Sequence, residues 1–327
     1  MERRIRATMK IPVEFDGVES GALPTRPVHL AIGIFDGVHL GHRAVIEAAV
    51  FSAQRSGGVA AVLTFAPHPS VLLRPEQPTR MIMDRGTKAR VLGGLGVECV
   101  VTQPFTPEFA QISAREFLPW LKQRWPSVAG VYVGENWRFG RGRDGDIALL
   151  VTEGKKLGLT VFSAPRVRLD GEPISSSRIR GAIEAGEIAA ANAMLGQAYS
   201  CEGVVTPGKR LGRAIGFPTL NVVWSPDLRP RFGVYAVKVA GTKPAEKLPG
   251  VANYGLRPTV ENTTEPRLEV HVLAECPYGE GDRVVVEWLD FIRPEQRFAN
   301  VDALRAQISK DRDEAARWLG KRDEGRS

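Results

Sequence analysis

The chain has 327 residues, 43% of them hydrophobic and 25% charged, with a formal net charge of +7 and three cysteines. This composition excludes a disordered, collagenous or disulfide-stapled protein, and no apolar run approaches the roughly 18 residues of a membrane span. At this length two domains are expected.

The basic opening "MERRIRATMKIPVEF" lacks an apolar core, so no signal peptide is expected. Cys99, Cys201 and Cys276 lie far apart without a C-x-x-C pair, which argues against a disulfide framework or zinc site and for a reducing cytoplasm. The positive charge fits nucleic acid or small anions. Its arginines are scattered among glycine-rich loops ("WRFGRGRDG", "GKRLGRAIG"), which favours phosphate pockets over a nucleic-acid face.

Up to about residue 185, apolar runs alternate with amphipathic ones, the pattern of a parallel sheet with crossover helices. Strands are expected at Val28–Ile34, Val59–Phe65, Val97–Val101, Gly130–Val133 and Thr160–Phe162. Helices are expected at Arg43–Arg55, Arg85–Gly93, Ala114–Arg124, Ile147–Leu157 and Arg178–Ala185. Ser113 and Glu116 have capping-box spacing at the third of these helices. A connecting helix follows at Glu187–Leu195.

From Tyr199 the runs "CEGVV", "TLNVVW", "GVYAVKVA", "LEVHVL" and "RVVVEWL" are short and separated by glycine and proline, as in a small β-barrel. A last helix is expected over "NVDALRAQISKDRDEAARWLG", with Leu304, Ile308, Ala315 and Leu319 near one face. The expected layout is thus an α/β domain over 1–186, a linker helix over 187–198 and a β-barrel domain over 199–327.

"IGIFDGVHLGH", Ile32 to His42, stands where a strand hands over to a helix. Unpaired first-turn amides and the helix dipole favour anions there. His39 and His42 share a face at this spacing, and Gly41 lets a ligand approach the backbone. The same histidines could instead cap or pack the helix, or bind metal. Asp36 and Gly37 read as turn formers, with Asp36 also a candidate for metal or ribose.

"TFAPHP" places His68 at the carboxyl end of the next strand, as a rigid turn or on the rim where open α/β sheets bind ligands. "VGENWRFGRGRDGD" offers Asn136, Arg138, Arg141 and Arg143 after another strand. "ISSSRIR" enters a helix with Ser175, Ser176 and Ser177 ahead of Arg178; the serines are helix caps or ligand donors, the arginines a solvated face or anion contacts.

In the second half, "GKRLGRAIGFPTLN" joins Gly208, Gly212, Arg213, Gly216 and Pro218 to Thr219 and Asn221. The last two share one side of a strand. Their oxygens suit Mg²⁺, a hard cation, unless they merely face solvent. "NYGLRPTV" supplies Arg257 and Thr259, and "RLEVHVL" puts Glu269 and His271 on one strand face.

G-x-F-D-G-x-H-x-G-H, T-F-x-P-H-P, G-E-N-W-R-F-G and I-S-S-S-R-I-R, in that order, resemble the bacterial bifunctional riboflavin kinase/FMN adenylyltransferase (FAD synthetase) family. Its riboflavin kinase domain is similar in G-x-P-T-x-N, in a glutamate-bearing strand and in R-x-E-x-x-F, here Arg293, Glu295 and Phe298. The resemblance runs from about residue 28 to 318. It implies a doubly wound, Rossmann-like nucleotidyltransferase domain followed by a six-stranded barrel with a C-terminal helix. By that resemblance Gly33, His39, Gly41 and His42 hold ATP phosphates, Asn136 and Ser175 to Arg178 position the nucleotide, Phe35, Asp36 and Arg138 belong to the same binding set, and His68 lies near the substrates. Glu269 is the implied kinase base, and Thr219 and Asn221 are implied at Mg–nucleotide. The glycine- and arginine-rich loop, Arg257 and Arg293 complete the implied binding set.

The implied partners are riboflavin, FMN and ATP, with room for self-association and no role for nucleic acid or membrane. Two departures stand out: Trp137 replaces a usual phenylalanine, and "AECPYGEGD" is shorter than the family's acidic loop. Competing readings are a chain that keeps one of the two activities, or a basic nucleic-acid-binding barrel.

The reactions call for different residues. Riboflavin's hydroxyl must lose a proton as the bond to the γ-phosphorus forms, so the kinase step needs a base. An FMN phosphate is already mostly dianionic near neutral pH, its second pKa being about 6, so adenylyl transfer needs donors for developing negative charge.

Overall fold

The computed structural model describes residues 11–20, 23–208, 215–242, 246–256 and 266–324. The chain divides into two compact units, one ending at Ser176 and the other beginning at Ser177.

The first unit is built on a six-stranded parallel sheet. Its strands are β1 (Val13–Asp16), β2 (Val28–Ile32), β3 (Val59–Ala66), β4 (Cys99–Pro104), β5 (Val128–Gly134) and β6 (Thr160–Ala164), in the order β1-β4-β3-β2-β5-β6. All five residues of β2 are buried, as expected of a strand covered on both faces. Leu30 and Ile32 of β2 pack toward Phe117, Leu118 and Leu121 of α5 (Ala114–Arg124) and Leu150 of α6 (Ile147–Lys156). Ala31 faces the other way, onto Val45, Ile46 and Ala49 of α1 (Leu40–Ser56) and Leu92 of α3 (Arg85–Gly94). This alternation makes the sheet doubly wound. Short helices α2 (Pro69–Leu73) and α4 (Pro107–Ala110) follow β3 and β4. The hairpin β7 (Arg168–Leu169) and β8 (Glu172–Pro173) leads into α7 (Ser176–Ala185).

The expected helices form, with the Ser113–Glu116 capping box in place at α5. Helix α1 begins three residues ahead of Arg43, because His39 caps it. Strand β2 stops at Ile32, where Gly33 N–H donates to Leu63 O and the chain turns away. The edge strand β1 was not anticipated.

The second unit opens with most of α7, whose Ile183 carbonyl accepts from Arg231 N–H, and this puts the division ahead of residue 186. Helix α8 (Ile188–Leu195) is tied to the barrel by Asn192. The Asn192 amide donates to Trp288 O at 2.8 Å and accepts from Tyr199 N–H at 2.6 Å.

The barrel is closed and antiparallel, in the order β10-β13-β12-β11-β14-β9. Its strands are β9 (Tyr199–Thr206), β10 (Leu220–Val223), β11 (Gly233–Gly241), β12 (Leu248–Gly255), β13 (Arg267–Val272) and β14 (Arg283–Pro294). Strand β12 is an addition to the sequence-based set. The interior is filled by aromatic rings: Trp288 lies 4.7 Å from Tyr235, 5.5 Å from Trp224 and 5.6 Å from Tyr254. With the interior packed by these rings, the outer face of the barrel is the surface on which to look for a site.

Helix α9 (Val301–Glu324) covers part of that surface, with Ala315 against Val234, Ala236 and Val251. Arg293 of β14 holds α9 in place. Its Nε and Nη2 donate to both carboxylate oxygens of buried Asp311, at 2.8 and 2.7 Å. Gln307 adds a bond to the same carboxylate. The expectation that Arg293 contacts a ligand is corrected: its guanidinium is spent on α9. Asp311→Ala strands a largely buried guanidinium and should cost about 3 kcal/mol. A drop in the urea midpoint of the C-terminal unit measures this, and an unchanged midpoint would deny the pair its anchoring role.

Candidate active sites

In the first unit the strand order reverses between β2 and β5, which opens a crevice beyond their carboxyl ends. "IGIFDGVHLGH" follows β2 and "ENWRFG" follows β5, so the two motifs flank that crevice.

The turn after β2 is unusual in its backbone. Phe35, Gly37 and Val38 all have left-handed φ values, of 49°, 83° and 42°. Phe35 and Val38 are buried, so packing holds a conformation that non-glycine residues otherwise avoid. The turn delivers His39 as the N-cap of α1, where its Nδ1 accepts from His42 N–H at 3.3 Å. The two imidazoles stack at 3.6 Å, and the Phe35 ring meets His42 edge-on at 5.3 Å. Burial pulls the His39 pKa down to about 4. The ring is therefore neutral at pH 7, and with Nδ1 accepting its proton sits on Nε2.

The glycines serve this arrangement from within. A Cβ on Gly41 would lie 3.1 Å from the His39 ring, and one on Gly33 would lie 3.0 Å from the Phe35 ring. Each makes room for the loop's own rings, where ligand approach alone was anticipated for Gly41.

Asp36 requires a correction. It is buried, and both carboxylate oxygens accept from Ile82 N–H, at 3.0 and 3.1 Å, so it anchors the turn and does not face a nucleotide. The Asp36 carbonyl accepts from Ser176 Oγ at 3.0 Å, which brings Ser176 to the first motif. Ser175 is half-buried beside it, while Ser177 and Arg178 are exposed on the first turn of α7.

His68 caps α2, its Nδ1 accepting from Ser70 N–H at 3.0 Å. Asn136 and Arg138 are exposed on the loop after β5, with Arg138 3.9 Å from Asp146. Trp137 is drawn inward, stacked on Phe139 at 4.5 Å and 5.9 Å from Phe117. The larger ring is thus absorbed into an aromatic cluster on the core.

In the barrel, strand register assembles the second site. Asn221 of β10 stands directly opposite Glu269 of β13, and Glu269 directly opposite Asn253 of β12. Directly paired residues share a face. Leu268 and Val270 point into the barrel, so this row faces outward. Thr219 immediately precedes β10. His271, two residues beyond Glu269, donates from Nδ1 to Pro218 O at 2.8 Å and lies edge-on to Phe217, pinning the P-T-L-N turn to β13.

Gly208 lies against the Asn221 amide, where any Cβ would collide. Gly216 has a left-handed φ of 88° in the turn that enters Phe217. Gly212, Arg213, Arg257 and Thr259 lie outside the described residues.

Sequence reasoning missed Asn253, the first residue of "NYGLRPTV", a segment singled out only for Arg257 and Thr259. Glu295, noted only in its motif, accepts from the Asn253 side chain and Leu256 N–H, and burial raises its pKa. Buried Lys88, bonded to the carbonyl that opens the strained turn, also went unnoticed, and buried Thr64, bonded to the same carbonyl, was quoted only as the first residue of "TFAPHP". No pattern of spacing marks Lys88.

Residues 23–178 match the FAD synthetase family and residues 195–319 the riboflavin kinase family. The bifunctional riboflavin kinase/FMN adenylyltransferase of Escherichia coli (strain K12) is 38% identical over 294 residues, which cover 89% of this chain and 92% of that protein. The Bacillus subtilis (strain 168) protein of the same description is 35% identical over 300 residues, with the same coverage. A solved Streptococcus pneumoniae structure described as a macrolide-efflux protein superposes with a TM-score of 0.82 at 28% identity, over 94% of this chain and all of that one. Among the described residues here, no helix is long and apolar enough to cross a membrane. With both halves matched in order and most of the length shared, the chain belongs to the bifunctional riboflavin kinase/FMN adenylyltransferase family.

Proposed function

We propose that the second unit phosphorylates riboflavin through Glu269, and that the first unit transfers AMP from ATP to the resulting FMN through the turn and histidines after β2. The observation that carries this division is where the carboxylates stand. Glu269 lies on an open strand face between Asn221 and Asn253, whereas the one carboxylate of "IGIFDGVHLGH" is turned inward onto Ile82.

In the kinase step Glu269 takes the proton of riboflavin's primary hydroxyl as its oxygen attacks the γ-phosphorus and ADP leaves. Thr219 and Asn221 are oxygen donors of the kind Mg²⁺ accepts, and they would hold the ion that arrives with ATP. Bound there, it would supply neutralisation of the negative charge on the transferring phosphoryl group. His271 keeps the P-T-L-N turn in register with the base.

In the adenylyl step an FMN phosphate oxygen attacks the α-phosphorus and pyrophosphate departs, with no proton to remove. Neutral His39, His42 and the first amides of α1 act as donors to the phosphates. Asn136, Arg138, Ser175 and Arg178 complete the nucleotide contacts, and His68 stands on the same rim. The reading includes a cytoplasmic location, where its substrates are small molecules.

The test is a time course of riboflavin with ATP and Mg²⁺, separating the flavins by chromatography. His42→Ala should accumulate FMN with FAD formation reduced 100-fold or more, and equal loss of both products would overturn the two-site assignment. Glu269→Gln should suppress FMN formation to a similar degree while still converting supplied FMN to FAD. An undiminished kinase rate would remove Glu269 as the base.

His39 also makes stability depend on pH. Its folded pKa lies below that of the unfolded chain, so the unfolded state takes up the proton first as pH falls. The contribution is fully present above about pH 6.5, the unfolded value, and is lost progressively toward pH 4, on the order of 3 kcal/mol in all. His39→Asn keeps a cap acceptor but does not titrate. Its N-terminal unit should lose less stability than the parent between pH 7 and 4.5, and parallel unfolding curves would contradict the shift.

A further inference from the structure

The carbonyl oxygens of the turn after β2 are engaged one after another from inside the protein. Ile34 O accepts from Lys88 Nζ at 3.0 Å and from Thr64 Oγ1 at 2.9 Å. Phe35 O accepts from Val38 N–H, Asp36 O from Ser176 Oγ, and Val38 O from Arg43 Nε. An anion site needs this arrangement, because a carbonyl turned toward the crevice would repel phosphate and remove the amide beside it.

Among these donors Lys88 stands apart. It lies on the buried face of α3, 7% exposed, although a lysine in that position is costly unless its ammonium is satisfied. Burial lowers its pKa, and the charge of Asp36 opposes that shift. The ammonium reaches the carbonyl immediately ahead of Phe35, the first left-handed residue of the turn.

We propose that Lys88 is a positioning residue for adenylyl transfer, holding the Ile34–Phe35 peptide carbonyl-inward so that the strained turn presents donors to ATP. Thr64 acts on the same oxygen and shares the task. Without these two donors the peptide is free to rotate, which relieves Phe35 and turns an oxygen toward the phosphates, and loss of either one loosens it. This inference rests on the assignment of ATP to the turn and histidines after β2.

The test measures both activities of the full chain in Lys88→Met, Thr64→Val and the double variant, at a temperature where circular dichroism shows each to be folded. Lys88→Met should lower kcat/KM for ATP in FAD formation at least tenfold, with the KM for FMN and the riboflavin kinase rate unchanged. Thr64→Val, which strands no charge and serves if Lys88→Met does not fold, should lower the same parameter several-fold. The two losses should combine less than multiplicatively, since both act on one carbonyl.

An ATP kcat/KM within twofold of the parent in both single variants overturns the proposal. So does a loss that only follows the folded fraction on warming, because Lys88 would then support stability alone. His42→Ala, run in parallel, separates the two levels of argument. If it leaves FAD formation intact, the assignment of the ATP site fails. If it abolishes FAD formation while Lys88→Met does not affect it, only the role of Lys88 fails.

Discussion

A chain that leaves a central strand and must begin a helix with its amides turned to one spot has to send its carbonyl oxygens somewhere else. In this protein they go inward, onto Lys88, Thr64, Ser176 and Arg43. Left-handed backbone at buried Phe35 and Val38 costs on the order of 1–3 kcal/mol each. The interior hydrogen bonds and the packing of Phe35 against His42 offset that cost. The position of His39, the start of α1 and the approach of Ser176 all follow from this turn. Asp36 strengthens it from beneath instead of meeting a substrate.

The second unit solves a different problem. Its interior is occupied by Trp288 and the tyrosines around it, and the row proposed for the kinase step stands on the outside of the wall. Strand register does this without a specialised loop: Asn221, Glu269 and Asn253 come from three adjacent strands and stand side by side. The outer face is then divided. Helix α9 takes the part around Val234, Ala236 and Val251, clamped by Arg293 and Asp311, and the row through Glu269 begins beside it at Asn253 of β12 and runs onto β13 and β10. A carboxylate on a hydrogen-bonded strand is held more firmly than one on a loop, which suits the distance-dependent proton transfer proposed for Glu269.

Much of this was legible in the sequence. The alternating runs gave away the doubly wound sheet, and the capping box at Ser113 marked the start of α5. Strand β1 escaped because it is a short edge with three exposed residues out of four, so no buried pattern marks it. Strand β12 escaped because "LPGVANYG" carries proline, glycine and asparagine, residues that usually break strands. Arg293 belongs to a motif shared with the kinase family, but motif membership does not say whether a guanidinium faces a ligand or a helix. Its partner, Asp311, looks in the sequence like any acidic residue of a charged helix. For Asp36 the sequence left two readings open for a similar reason, since a turn-forming aspartate and a ligand-facing one have the same spelling. Lys88 was invisible because burial depends on how α3 is laid against the sheet, and a lone lysine among "GTKARVL" carries no trace of that.

The cap of α1 is the imidazole of His39, stacked on His42 at the very place the phosphates are assigned. One side chain therefore performs two tasks, and an engineer cannot improve either in isolation. Serine or aspartate is the usual choice for hardening the start of a helix. Serine here would remove the ring on which His42 leans, and aspartate would bring negative charge to an anion site. Thermostable variants of this chain are better sought at the exposed helices than at this junction, where robustness and turnover draw on the same atoms.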